Sequence, residues 1–371
     1  MHTKVEIPFC VDSEFIEPFD KFFATFEVIA SDFARIDNPS KENSVNNKCK
    51  FCGKSYPTVT FKNIAHTIPE FLGNKGSVSN EECDVCNKYF GKLEKQLYNF
   101  LGPSLTFWGI PGKKGLRNFA SYKRPLQIKK NKLFETYPSV LIDSGSSGNE
   151  RINFNELEKR FEIEYVTEPY CPRDVYKSLL KMALGLLPKS ICKDYSMGFR
   201  YLGDRRNKVK FSHDAIKLFH YNLSANHHLI GTLLMANRNK KDYNSPLIFV
   251  LFIGSEILQI AIPFNNNHYV NMKEGVNHEY PICPPFLMGR SQVNYTSIDR
   301  VIDMNGNKKE TRTLSFQIKP SDMNIKPFAI DQNSLEEKDY EFNPKNISSL
   351  ILMKKDIKID LSEIKKKKNL E

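Results

Sequence analysis

The chain lacks any apolar run long enough to cross a bilayer. Its longest, such as SPLIFVLFIG (245–254), fall well short of the roughly 20 residues that a spanning helix needs. The N-terminus, MHTKVEIPFCVDSEF, has no basic stretch followed by an apolar core, so an ordinary secretory signal is not expected. The expected compartment is therefore the cytosol, with no membrane partner. No internal repeat is found, tryptophan occurs once, and no stretch reads as a recognition helix, so base-specific readout is not expected.

At 371 residues the chain is long enough for two domains or three. Its hydrophobic share of 40% and charged share of 26% are those of an ordinary soluble protein. The net charge of +11 is spread unevenly. Residues 1–40 hold three basic and eight acidic side chains, residues 41–132 hold 17 and six, and residues 133–371 hold 34 and 29. The middle segment thus has the positive field that a binder of phosphate backbones needs.

Residues 1–40 read as an acidic N-terminal segment of strand or short helix. DNPSKENSVNNK (37–48) is polar and rich in Asn, a linker. TVTFKNIAHTIP (58–69) alternates apolar and polar residues up to Ile64, which predicts a strand ended by Pro69. From Asp84, the apolar residues Val85, Tyr89, Phe90, Leu93, Leu97, Phe100 and Leu101 recur at helical spacing until Gly102-Pro103. A basic extension dotted with aromatics runs to 132. In it Trp108 and Tyr122 offer rings for stacking on a base or for packing. DSGSSGNE (143–150) is the best boundary. Beyond it, RDVYKSLLKMALGLLP (173–188) reads as a helix. HLIGTLLMA, SPLIFVLFIG and EILQIAIPF read as strands, the last two forming a hairpin at Gly254-Ser255. KIDLSEIKKKKNLE (358–371) is a charged tail.

Eight cysteines fit a reducing compartment if they are free or metal-bound. Cys10, Cys171, Cys192 and Cys283 are scattered and read as small hydrophobes. Cys49-x-x-Cys52 and Cys83-x-x-Cys86, with 30 residues between them, have the pattern of a tetrahedral zinc site closed by two tight turns. What the clamp would hold together is a strand, a loop and a helix.

Within the clamp, AHTIPEFLGNKGSVSNEECDVCN resembles the core of HNH endonucleases of the ββα-metal superfamily, in the branch clamped by two CxxC pairs. The pattern there is an acidic residue and His at a strand end, Pro shortly after, Asn before the second CxxC, and Asn or His directly after it. His66, Pro69 (offset by one), Asn80 and Asn87 occupy those positions, and the resemblance covers 49 to about 102. It implies a structural zinc on Cys49, Cys52, Cys83 and Cys86, and hydrolysis of DNA phosphodiesters, with RNA left open. His66 would be the general base. Asn87 would hold a catalytic Mg or Mn through its amide oxygen, and Asn80 would orient the imidazole. Lys62, Lys75, Lys88, Lys92, Lys113, Lys114 and Arg117 are candidate phosphate contacts.

One member of the pattern is missing. Ala65 stands where most relatives carry the acidic second metal ligand. Either Asn87 and waters suffice, or Glu70 or Glu94 substitutes (Glu94 shares the Asn87 helix face at i+7), or the module binds without cutting.

The expected fold is α+β: a ββα-metal nuclease module with a four-cysteine zinc site at 41–132, followed by an α+β accessory domain at 151–360 of unknown role and partner. His220, His227 and His228 have no carboxylate or cysteine at ligand spacing and read as strand-edge histidines. GFRYLGDRRNKVK (198–210) is basic, and either extends a nucleic-acid path or is a solvated face. HNH nucleases with an extra domain are often bacterial effectors or mobile-element enzymes. The expected function is a metal-dependent endonuclease, the alternative a catalytically inactive zinc module that binds nucleic acid or a protein partner.

Overall fold

The computed structural model describes residues 9–35, 48–112, 115–123, 126–130, 139–144, 152–158, 160–206, 216–223, 230–239, 246–254, 256–266, 280–288 and 297–318, with short strands at 329–330, 337–338 and 349–353. Nearly all of the linker at 37–48, most of the 143–150 boundary and the charged tail lie outside the described residues. By contacts the chain divides into two units, residues 1–98 with 170–310, and residues 99–169 with 311–371. Among the described residues no helix is long and apolar enough to cross a membrane.

The first unit contains α1 (Ile16–Thr25), β1 (Phe26–Phe33), β2 (Ala65–His66), β3 (Val78–Ser79), α2 (Asp84–Leu101, whose last residues belong to the second unit), α3 (Pro172–Leu186), α4 (Ser196–Gly203), β4 (Lys217–Leu223), β5 (Ile230–Asn237), β6 (Leu247–Ile253), β7 (Glu256–Ile262) and β8 (Ser297–Asp303). Six strands form one antiparallel sheet in the order β8-β4-β7-β6-β5-β1. The apolar run of β6 and β7 follows from their central place: every residue of both is buried. Ile248, Val250 and Phe252 share a cluster with Phe22 of α1, Phe26 and Phe286, while α3 packs against β6 and β7. Each such buried side chain contributes about 1.5–3 kcal/mol of transfer free energy. The aromatic-rich N-terminal segment is both helix and strand, and β1 becomes the edge of this sheet beside β5.

In the second unit, Ile152–Asn155, Arg160–Val166 and Thr313–Ile318 form one antiparallel sheet. Phe119–Ala120, Gln127–Lys130, Ser139–Asp143 and Ser349–Met353 form another. Phe119, Ile128, Ile142, Phe161, Ile163 and Ile318 are buried in a common core. Gly102 (φ 60°) ends α2 in the left-handed region, as its sequence suggested. An added Cβ there would stand 3.3 Å from the Tyr165 ring.

One predicted strand does not form as read. The alternation up to Ile64 yields pairing only at Ala65–His66. Asp84 at the start of α2 gathers the segment before it: its carboxylate accepts from Thr60 Oγ1, from the Lys62 (3.1 Å) and Asn63 (2.8 Å) backbone N–H groups, and from Asn63 Nδ2 (2.9 Å). Those donors hold the segment as a loop.

Candidate functional site

The two CxxC turns close on each other. All four Sγ atoms of Cys49, Cys52, Cys83 and Cys86 lie within 4.8 Å of one another, and Cys52 and Cys83 are 3.8 Å apart. Four thiolates about 2.3 Å from a tetrahedral zinc would be separated by about 3.8 Å, so the cluster has the size and donor set for that ion. Crowding makes the thiols unlike one another. A hydrogen bond from Cys86 holds Cys49 well below the ordinary thiol range, while burial raises Cys83. As four thiolates they would need a cation among them.

The cluster ties the β2–β3 hairpin to α2. β2 pairs with β3 through Ala65↔Ser79 and His66↔Val78, and the loop between them is built on Asn74. Asn74 is fully buried. Its Nδ2 donates to the Ile68 (2.7 Å) and Ser77 (2.8 Å) carbonyls, and its Oδ1 accepts from Ser77 N (2.9 Å). The neighbouring sheet braces the same hairpin, because the Asp32 carboxylate of β1 accepts from Thr67 Oγ1 and Ser77 Oγ.

His66 ends β2 half-buried, and its Nδ1 is buried without a well-formed hydrogen bond among the described residues. Burial chiefly, and Lys181 in addition, push the imidazole below its ordinary 6.5, while Glu70 and Glu94 pull it upward. Burial thus favours the neutral form of the ring.

Asn87 lies in the first turn of α2, and its Nδ2 donates to the Ile64 carbonyl at 3.2 Å. A carbonyl accepts only from the NH2 end of a carboxamide, so the bond fixes which way the amide points. It leaves Oδ1, a hard donor suited to Mg or Mn, on the other side. Asn80 is exposed in the turn after β3.

The carboxylates near the site divide by role. Ala65 is 1% exposed and offers no ligand. Asp84 is saturated by the four donors named above. Glu94 gives one oxygen to Lys181 at 3.3 Å, and Glu70 lies close enough to act on the charge of His66. Lys181 of α3 is 3% exposed and also meets Glu82 at 3.4 Å. Burial raises the Glu82 carboxyl to about 7, against the pull of Lys181. Lys50, directly after the first cluster cysteine, donates to the Gly185 (2.7 Å) and Leu187 (2.8 Å) carbonyls and so caps α3.

Of the candidate phosphate contacts, Lys62, Lys75, Lys88 and Lys92 are exposed on the first unit. Arg117 belongs to the second unit, where its guanidinium crowds Gly112. Lys113 and Lys114 lie outside the described residues, as do His227 and His228. His220 lies in β4 with its Nε2 3.5 Å from Glu256. Sequence reasoning missed Asp32, Asn74 and Lys181. Only Lys181 left a signal, a single cation in the otherwise apolar run LLKMALGLL.

A family model described as HNH endonuclease matches residues 49–99, about a seventh of the chain, from the first cluster cysteine to the last turns of α2. No curated protein and no solved structure matches the chain.

Proposed function

On the premise that residues 49–99 are an HNH endonuclease module, we propose that the protein is a metal-dependent endonuclease that hydrolyses DNA phosphodiester bonds. The observation carrying this reading is the 3.2 Å bond from Asn87 Nδ2 to the Ile64 carbonyl, which ties the helix carboxamide to the strand presenting His66 two residues on. His66, its neutral form favoured by burial, takes the proton of the attacking water. Asn87 Oδ1 would hold Mg or Mn, which when bound neutralises charge on the phosphate and the leaving oxygen. Asn80, exposed in the turn after β3, would orient the imidazole once substrate and metal are bound. The four cysteines would hold zinc as scaffold, since four thiolates leave that ion no open position. Glu70, or the Glu94 oxygen facing away from Lys181, stands in for the carboxylate absent at position 65. The reading includes a cytosolic setting and a role as a bacterial defence or mobile-element effector, by family analogy alone.

Plasmid nicking in Mg or Mn tests it. Wild-type protein nicks and His66→Ala does not; equal behaviour of the two would refute the assignment. The buried Ala65 favours a second reading, a non-catalytic zinc module that binds nucleic acid or a protein partner. That reading predicts salt-sensitive DNA binding without cleavage, unchanged by His66→Ala.

A further inference from the structure

An open groove of about 990 Å³ runs beside the N-terminal half of α2. Asn87, Lys88 and Lys92 line one side of it, and Arg205, which follows α4, lines it too. Arg205 lies 106 residues beyond the end of the family match at residue 99, yet it is attached to the module by the helix itself. Its guanidinium lies over the Tyr89 ring, 4.8 Å from the centroid, and Tyr89 Oη donates to the Leu202 carbonyl of α4 at 3.2 Å.

Among the described residues, the cations of this groove are not held in ion pairs, as some others of the unit are. Lys181 is bound by Glu82 and Glu94, Lys189 by Glu81 and Arg238 by Glu27. Among the described residues, no carboxylate lies within ion-pair distance of Lys88, Lys92 or Arg205. Two carboxylates do line the groove. Asp84 is saturated by its four donors, and the charge of partly buried Asp174 is met by Lys177 and Arg173. Lys88 and Lys92 are one helical turn apart and project the same way. Arg205 is exposed over the ring, and a guanidinium can offer a phosphate two N–H groups at once. The groove is open to solvent rather than enclosed.

We infer that Arg205, with Lys88 and Lys92, forms a phosphate track that leads a nucleic-acid backbone to Asn87, so that the chain outside the family-matched segment supplies part of the substrate grip. The inference rests on the endonuclease reading above, and adds to it a substrate-binding residue from α4's end.

The test is fluorescence anisotropy of a labelled duplex of arbitrary sequence across a salt series, with full-length zinc-loaded protein. His66→Ala is the parent, so that the probe is not cut. Adding Arg205→Ala is expected to weaken binding about tenfold at moderate salt and to lower the log–log salt slope by about 0.9, one phosphate contact. Arg205→Lys restores the slope but only part of the affinity, because the guanidinium over the ring is lost. Tyr89→Leu weakens binding to a similar degree and adds little to Arg205→Ala. Arg206→Ala, which removes the adjacent exposed cation that does not line the groove, leaves binding unchanged. If Arg205→Ala binds with the parent's affinity and slope, or Arg206→Ala loses as much, the track is wrong while the nuclease reading stands on the plasmid assay. If wild type neither nicks plasmid nor binds duplex, the nuclease reading fails and the track falls with it.

Discussion

Lys181 Nζ donates to the main-chain carbonyl of His66 at 2.7 Å across 115 positions of sequence. The same ammonium meets Glu94 of α2 and Glu82 before Cys83, so one buried cation holds three pieces of the module to α3. Nζ donates to the His66 carbonyl and to Glu94, and Glu82 adds an ion pair at 3.4 Å. Lys181→Met should therefore cost about 3–5 kcal/mol, because two carboxylates and a carbonyl are left without their partner. Urea unfolding followed by far-UV circular dichroism checks this. A loss under about 1 kcal/mol would show that the contact is incidental.

Zinc held by the four cysteines would be part of the fold. Purified protein should hold one zinc per chain, Cys83→Ser should hold none, and Cys192→Ala should keep it. Cys192 donates to the Leu187 and Pro188 carbonyls, outside the cluster. Elemental analysis of the three proteins decides it. A strong chelator should also lower the melting temperature of wild type, since binding free energy at such a site is folding free energy. A Cys83→Ser protein with full zinc would contradict the assignment.

Cleavage should fall on acidification with a midpoint below 6.5. Burial holds the folded His66 pKa under that ordinary value, and a general base works only when deprotonated. The rate is therefore flat near neutrality and lost as pH drops through the lowered value. Single-turnover nicking between about pH 5 and about pH 8 measures the acid limb. A midpoint above 6.5 would mean that another group is titrating.

Asn87→Ala should separate catalysis from stability. The lost bond to Ile64 is exposed, so the fold should lose about 1 kcal/mol or less. Nicking should fall about a hundredfold or more, the scale of losing one electrostatic contact in a reacting centre. Paired measurement of melting temperature and nicking rate checks this, and equal losses in both would return Asn87 to a structural role.

What could be read along the chain was what depends on near neighbours. Cys49 and Cys52, Cys83 and Cys86, and the Asn87 that follows are local patterns. So is α2, whose stripe ends at Gly102-Pro103 where the helix stops. β6 and β7 announced themselves as apolar runs because both are central in the sheet. The rest depends on distant partners. Nothing in the acidic N-terminal segment shows that Asp32 will brace Thr67 and Ser77. The alternation before Ile64 suggested a strand because periodicity cannot show that Asp84 takes the segment's donors. Lys181 sits in a helix buried on nearly all sides, and only the folded chain brings it to His66. A linear boundary also cannot express a unit assembled from residues 1–98 and 170–310.

The central claim is that His66 and Asn87 face one divalent ion and one phosphodiester. A crystal structure of the zinc-loaded protein soaked in Mn, with anomalous data at the manganese edge, tests it most directly. The account predicts one Mn peak bound to Asn87 Oδ1 on the side where the His66 ring lies, with zinc alone among the four sulfurs. No peak at Asn87, or a His66 ring turned away from it, would contradict the account.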